Sequence, residues 1–207
     1  VGELEAQAPA SNANANTNAA EPFMPVDGLD TDGDGFSDIE ENLYHTNSTL
    51  ADTDADTFSD ASELLNFYDP TKNGGRLMDS GLIRVYQNEV YRYSLLYPVG
   101  WAARSLSDTE TIFTSNTGEF VAITVQDNLL NLSSYAWYLD KMPNADLASL
   151  PNLTIDSLPA IQTADSLNTY LAVGSKVYII SYNIGAQQQT NFKTTYQLFL
   201  KSFMFIE

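Results

Sequence analysis

The alternation of apolar and polar positions lays out the second half of the chain. In the run that ends at Pro98, Tyr91, Tyr93, Leu95 and Tyr97 alternate with Arg92 and Ser94. That two-residue period predicts a strand with one buried face. "FVAITVQ" puts Val121, Ile123 and Val125 on one face, and "KVYIISYNI" carries the β-branched and aromatic residues that suit a pleated surface. "TYLAV" and "KVYIISY" flank Gly174-Ser175, which predicts a hairpin turn. Twice the period becomes helical. "SSYAWYLDKM" is expected to begin on Ser133 or Ser134 as N-cap and to stop before Pro143. "NFKTTYQLFLKSF" stacks Phe192, Tyr196, Phe199, Leu200 and Phe203 on one stripe, with Thr190 as its expected N-cap. Strands, helix, strands, helix in that order predict an α+β fold, an antiparallel sheet with packed helices.

Neither period is sustained earlier in the chain. Residues 1–26 are Ala, Asn, Thr and Pro with almost no large apolar side chain, so they are expected to form a disordered, flexible tether. Residues 27–71 form an acidic block, expected to be a small loop module with little regular structure. Residues 72–82 are rich in turn formers and read as a linker, and residues 83–207 as the α+β domain.

Charge sharpens this division. The 207-residue chain has a formal net charge of −18, which argues against nucleic acid or an anionic membrane surface as partner. Residues 1–80 hold 17 acids against 2 bases, and residues 81–207 hold 10 against 7. Between Asp27 and Asp69 there are 13 acids and no Lys or Arg. Such a block repels itself unless a cation neutralises it, and a divalent metal is the obvious candidate. Without cysteine, disulfides and thiolate metal sites are excluded. No apolar run reaches the roughly 18 residues needed to span a bilayer. The chain begins at Val1 rather than Met, the expectation for a mature or trimmed form whose signal or anchor lies upstream.

The acids are spaced for chemistry. Numbered from Asp30, "DTDGDGFSDIEE" carries carboxylates at loop positions 1, 3, 5, 9 and 12: Asp30, Asp32, Asp34, Asp38 and Glu41. In a calcium loop, positions 1, 3 and 5 converge on the ion and a glycine at 6, here Gly35, makes the sharp turn. Position 7 (Phe36) offers its backbone carbonyl, position 9 often acts through water, and position 12 closes the shell as a bidentate carboxylate. An all-oxygen donor set favours Ca²⁺ over softer metals. Numbered from Asp52, "DTDADTFSDASE" repeats every side-chain ligand: Asp52, Asp54, Asp56, Asp60 and Glu63, with Phe58 at position 7. Its turn glycine is replaced by Thr57. A β-branched residue forced to positive φ costs about 1–2 kcal/mol. At 1.4 kcal/mol per decade, that means a site weakened about tenfold rather than lost.

Only ten residues, Asn42 to Ala51, separate the loops, too few for the exiting and entering helices of an EF-hand pair. This spacing, with "YHTNSTLADTD" between the loops and "YDP" after them, resembles thrombospondin type 3 repeats over residues 27–70. The resemblance implies two or more Ca²⁺ ions acting as the effective core of a poorly hydrophobic module in an exported protein. Dockerins, which usually have a longer connection, rank second. Affinity suited to extracellular calcium, about 10⁻⁴–10⁻³ M, is expected.

Downstream, "YRYSLLYPVGW" and "YQLFLKSFMF" resemble the opening strand and the closing helix of PsbP-like domains, a match spread over residues 83–207. That implies a helix-sandwiched antiparallel sheet in a binding or assembly role, and no ligand residue carries over. Enzyme signatures are poor. The only histidine, His45, lies between the loops, so a Ser-His-Asp arrangement in the α+β domain is impossible. GxSxG, HExxH and phosphate-loop motifs are absent. Asp108 and Glu110 read as a hairpin turn rather than a glycosidase pair, and Lys176 and Lys193 as surface lysines. Tyr135, Trp137 and Tyr138 form either a core face or a stacking patch.

The reading that results is a non-enzymatic, calcium-stabilised protein of the cell envelope or exterior. It would be tethered at its N-terminus through an anchor outside the sequence and would meet another protein or a cell-wall component. A structural subunit of an extracellular assembly is the first alternative, and a divergent hydrolase without a recognisable motif the second.

Overall fold

The structure is a computed structural model that describes residues 24–185 and 189–207. The tether expected over residues 1–26 lies, but for its last three residues, outside the described residues. In chain order the elements are β1 (Val26–Asp27), α1 (Asp38–Tyr44), α2 (Asp60–Leu65), β2 (Ile83–Asn88), β3 (Tyr93–Pro98), β4 (Ala102–Ser107), β5 (Glu110–Thr114) and β6 (Phe120–Asp127). There follow α3 (Ser134–Lys141), β7 (Asn152–Ile155), β8 (Leu158–Gln162), β9 (Asn168–Val173), β10 (Lys176–Asn183), β11 (Gln189–Thr190), α4 (Lys193–Ser202) and β12 (Met204–Phe205).

Seven strands form one antiparallel sheet in the order β4-β5-β6-β10-β9-β8-β7, and β12-β3-β2 form a second. The expected alternation is realised in β6, where Val121, Ile123 and Val125 are buried and the residues between them are half-exposed. Gly174, at φ +54°, makes the β9–β10 turn. Onto the inward face of the larger sheet pack β3 and α4. Tyr93 meets Tyr178 edge-on at 6.0 Å, Tyr97 meets Phe113 at 5.1 Å, and Phe199 meets Phe113 at 5.0 Å. Tyr170 is one residue from inward-facing Leu171 and so points to the opposite face, where Trp137 and Tyr138 of α3 cover it. Those two aromatics are therefore core, not a stacking patch. Ser133 starts α3 by accepting from Ala136 N–H, and Pro143 follows its last turn.

Two expectations are corrected. The strand read from Tyr91–Tyr97 begins at Tyr93, and its second face is covered too: Ser94 is buried and Leu96 half-buried. The cause is α4, which lies alongside β3, with Leu96 N–H donating to Ser202 Oγ. Thr190 does not cap α4. It sits in β11, paired in parallel with β1, and its hydroxyl donates to Asp27 Oδ1. α4 has no cap from its own neighbouring side chains, and the N–H of Thr195 in its first turn donates instead to Glu40 Oε1 at 2.6 Å. A carboxylate at a helix N-terminus satisfies an orphan donor and complements the helix dipole.

The acidic block is not without a core. Phe36, Tyr44, Ala61 and Leu64 form a second buried cluster with Leu77, Ile83 and Leu198 of α4. Phe36 and Tyr44 stack at 5.3 Å. Leu77, within the expected linker, is fully buried. Each such aliphatic side chain contributes about 1.5–3 kcal/mol by leaving water. The module is held by these contacts as well as by any metal.

Candidate metal centres

Both acidic loops fold along the same backbone path, and short-range hydrogen bonds explain it. In the first loop Asp30 accepts from Gly33 N–H (2.7 Å) and Gly35 N–H (3.0 Å), and Asp34 accepts from Phe36 N–H (2.7 Å). In the second, Asp52 accepts from Asp56 N–H (3.2 Å) and Thr57 N–H (2.8 Å), and Asp56 accepts from Phe58 N–H (3.1 Å). Such Asx-type bonds bend the chain back on itself and gather alternate side chains. One carboxylate oxygen from each of Asp30, Asp32 and Asp34 falls within 4.8 Å of the other two, and the same holds for Asp52, Asp54 and Asp56.

The turn needs two left-handed residues per loop. Gly33 (φ +78°) and Gly35 (φ +102°) supply them in the first loop, and Ala55 (φ +63°) and Thr57 (φ +86°) in the second. The positive φ expected at Thr57 is present, and Ala55 adds a second strained position that the sequence reading did not count.

Positions 9 and 12 behave differently. Asp38 receives both the N–H and the hydroxyl of Thr31 at 3.0 and 2.8 Å, and Asp60 receives those of Thr53 at 2.8 and 2.7 Å. The position-9 carboxylates thus brace the loop entrance, compatible with an indirect contact to an ion. Glu41 and Glu63 ride on the first turns of α1 and α2, buried and aimed back at the triads. Burial lifts the Glu41 carboxyl to about 7, helped by the charges of Asp32, Asp34, Asp38 and Asp60. Burial likewise lifts Glu63 to about 8, reinforced by Asp54, Asp56, Asp60 and Asp52. Burial also raises Asp34, Asp54 and Asp60.

Whether the donors fit calcium is decided by their unmet demand. Asp32 Oδ2, both carboxylate oxygens of Glu41, Asp54 Oδ2 and Glu63 Oε2 are buried without a hydrogen-bond partner. A buried carboxylate oxygen without a donor is costly, and natural proteins leave few. Here the same two loop positions, 3 and 12, are orphaned in both copies. An oxygen-only, poorly satisfied anionic pocket fits a hard divalent cation.

The two position-7 residues part company. The Phe36 ring is buried against Tyr44, whereas Phe58 is 61% exposed. Sequence reasoning missed Glu40, whose Oε1 holds α4 and whose Oε2 accepts from Ser37 N–H (3.2 Å). The visible signal was Ser37-x-x-Glu40, a capping box at the start of α1. Burial raises its carboxyl to about 8 against the pull of the N–H groups it accepts from. His45 is an exposed helix-end residue, in the left-handed conformation at φ +62°. Asp108 lies in the β4–β5 turn and Glu110 opens β5.

A family model described as bacterial TSP3 repeat matches residues 30–51, covering the first loop and ending just before Asp52. No curated protein matches the chain. Among solved structures, one from Bacteroides thetaiotaomicron overlaps 61% of this chain at 11% identity and a TM-score of 0.42. The chain spans about half of that protein, 49%. Cyanobacterial PsbP (CyanoP) from Synechocystis sp. PCC 6803 overlaps 60% of this chain and 93% of its own, at 13% identity and a TM-score of 0.38. The Ran-binding protein Mog1p of Saccharomyces cerevisiae overlaps 60% and 96%, at 10% identity and a TM-score of 0.38.

Proposed function

We propose that the chain is a non-enzymatic calcium-binding protein of the cell exterior or envelope, in which two Ca²⁺ ions fix residues 27–71 against an interaction domain. The carrying observation is the repeated set of orphaned buried carboxylate oxygens at positions 3 and 12 of both loops. In this reading Asp30, Asp32, Asp34, the Phe36 carbonyl and Glu41 hold one ion, with Asp38 acting indirectly. Asp52, Asp54, Asp56, the Phe58 carbonyl and Glu63 hold the other, with Asp60 in the equivalent place. Bound calcium supplies charge neutralisation. The chain supplies the turns, the orientation of the helix-borne glutamates and the shared apolar cluster that transmits order to α4.

The match to a bacterial TSP3 repeat supports the metal assignment and the extracellular setting. Among the described residues no helix is long and apolar enough to cross a membrane. Isothermal titration calorimetry on the whole chain should show two calcium sites at millimolar or tighter affinity. No heat, and no calcium-dependent rise in the unfolding midpoint, would refute the assignment.

A hydrolase would use the groove of about 520 Å³ between the first loop, α2 and α4, which Asp27, Asp34 and Glu40 line. The Lys193 ammonium holds the Asp27 carboxyl below its usual range, whereas burial raises Asp34 and Glu40. Each already has a structural duty: Asp27 pairs Lys193 at 2.8 Å, Asp34 accepts from Ala61 and Phe36, and Glu40 from Thr195 and Ser37. An interaction role for the α+β domain fits better. Cross-linking with and without EGTA separates its two forms, since a subunit of an assembly recovers copies of itself.

A further inference from the structure

Building on the calcium reading above, we propose that α4 is a working limb of the first calcium loop, with Thr194 as its positioning residue. The first loop then binds calcium as one unit with the α+β domain. The second loop meets that domain through apolar packing of α2, with no hydrogen bond from residues 52–63 to α4 among the described residues.

Three contacts carry this, all between loop 1 and the N-terminal end of α4. The Thr194 hydroxyl donates to the Gly35 carbonyl at 2.7 Å. Gly35 is position 6, between Asp34 and Phe36, and the N–H of Phe36 in the same peptide unit as that carbonyl donates to Asp34. Holding this peptide plane therefore holds position 5 and sets the backbone at position 7. At position 8, the Ser37 hydroxyl donates to the Asn191 carbonyl at 2.5 Å. At position 11, Glu40 accepts from Thr195 N–H at 2.6 Å, which fixes the helical turn that carries Glu41 at position 12. Tyr44, at the end of α1, donates to the Thr195 hydroxyl at 3.2 Å.

The second loop lacks such hydrogen bonds, although Leu64 of α2 packs on Leu198 of α4 and Lys201 donates to Asn66 at the end of α2 at 3.4 Å. Its residue at position 11 is Ser62, where the first has Glu40. Among the described residues, the hydrogen bonds of residues 52–63 all end within the module, and Ala61 N–H reaches back to Asp34 Oδ2 at 3.0 Å. Hydrogen-bonded support to the loops themselves thus runs from α4 to loop 1 and from loop 1 to α2, while α2 itself rests on α4 by Leu64–Leu198 packing. Linkage makes it reciprocal: whatever α4 adds to calcium affinity at loop 1, calcium adds to the docking of the module on α4.

The test uses the whole chain with one loop disabled at a time, Glu63→Gln to leave the first and Glu41→Gln to leave the second. On the Glu63→Gln background, Thr194→Val should weaken calcium binding about tenfold, the worth of one hydrogen bond to a constrained turn. Thr194→Ser, which keeps the hydroxyl, should restore it. On the Glu41→Gln background, Thr194→Val should leave the calcium constant within about twofold. Equal losses on both backgrounds, or none on the first, overturn the proposal. A second measurement does not depend on how well Thr194→Val folds. Calcium should raise the thermal midpoint of the α+β domain more in Glu63→Gln than in Glu41→Gln, and equal rises overturn the proposal too. If the unsubstituted chain binds no calcium, the reading on which this inference rests falls with it, a result distinct from unchanged constants in Thr194→Val.

Discussion

Relaxing the second loop is the sharpest quantitative test of the calcium assignment. Ala55 and Thr57 hold φ values of +63° and +86°, where glycine would be unstrained. A left-handed conformation costs an L-residue about 1–2 kcal/mol. Glycine gives back about 0.5–1 kcal/mol through its larger unfolded-state entropy. Ala55→Gly together with Thr57→Gly therefore gains about 1–2 kcal/mol in the native turn. If the ion-free loop relaxes out of this turn, the gain emerges as calcium affinity, about tenfold at 1.4 kcal/mol per decade. The reverse experiment is available next door. A Cβ on Gly33 would meet nothing within 4 Å, and one on Gly35 would meet only the Ala61 Cβ at an ordinary 3.5 Å. Gly35→Ala should thus weaken the first site through φ alone, by about fivefold to tenfold. Calorimetry on the Glu41→Gln background isolates the second loop. An unchanged calcium constant together with an unchanged unfolding midpoint would refute the strain argument. A shift in midpoint alone would mean the strain is present with and without the ion, and would refute the affinity argument.

Phe36→Ala should cost about 3–5 kcal/mol of stability and Phe58→Ala less than about 0.5, although the two occupy the same motif position; chemical denaturation reads the contrast. Leu77→Ala should cost about 2–5 kcal/mol, as expected of a core residue and not of a linker; a midpoint within a degree or two of the parent would contradict this. Without calcium, stability should fall as pH rises from about 4.5 to about 8. Over that interval the unfolded chain releases protons that Glu40, Glu41 and Glu63, with carboxyls raised to about 8, 7 and 8, retain when folded. Calcium should remove the part owed to Glu41 and Glu63 and leave the shallower slope of Glu40. A stability that climbs with pH over this interval in EGTA would contradict the placement of these carboxylates.

The loops were legible because their chemistry is local. Asp30 to Glu41 and Asp52 to Glu63 are written as spacings, and the Asx-type hydrogen bonds that shape them span only two to five residues. In the larger sheet β6, β9 and β10 were legible from alternation in "FVAITVQ" and the β-branched and aromatic run of "KVYIISYNI", whereas β7 and β8 were not read, and β4, exposed along its length, shows no alternation. What sequence could not show was contact at long range. Ser94 is polar at a strand position and reads as exposed, yet it is buried between β2 and β12, the latter paired to it from more than a hundred residues away. Leu77 sits among turn formers and reads as a link, but fills a cavity between two helices of the module and Leu198. The cap of α4 was sought in the residues before it, at Thr190, and comes instead from Glu40. No local pattern announces a helix whose first turn is completed by another part of the chain.

The two-residue pairing of β1 with β11, with the Asp27–Lys193 ion pair beside it, takes on a mechanical meaning if the chain is held by its N-terminus. A load applied at residue 24 then meets this short latch first. Behind it lies loop 1, clasped to α4, and behind that the broad ladder of β6 and β10, eight residues in register. Calcium in loop 1 would set the force at which the latch and module peel from α4, well before the seven-stranded sheet carries any strain.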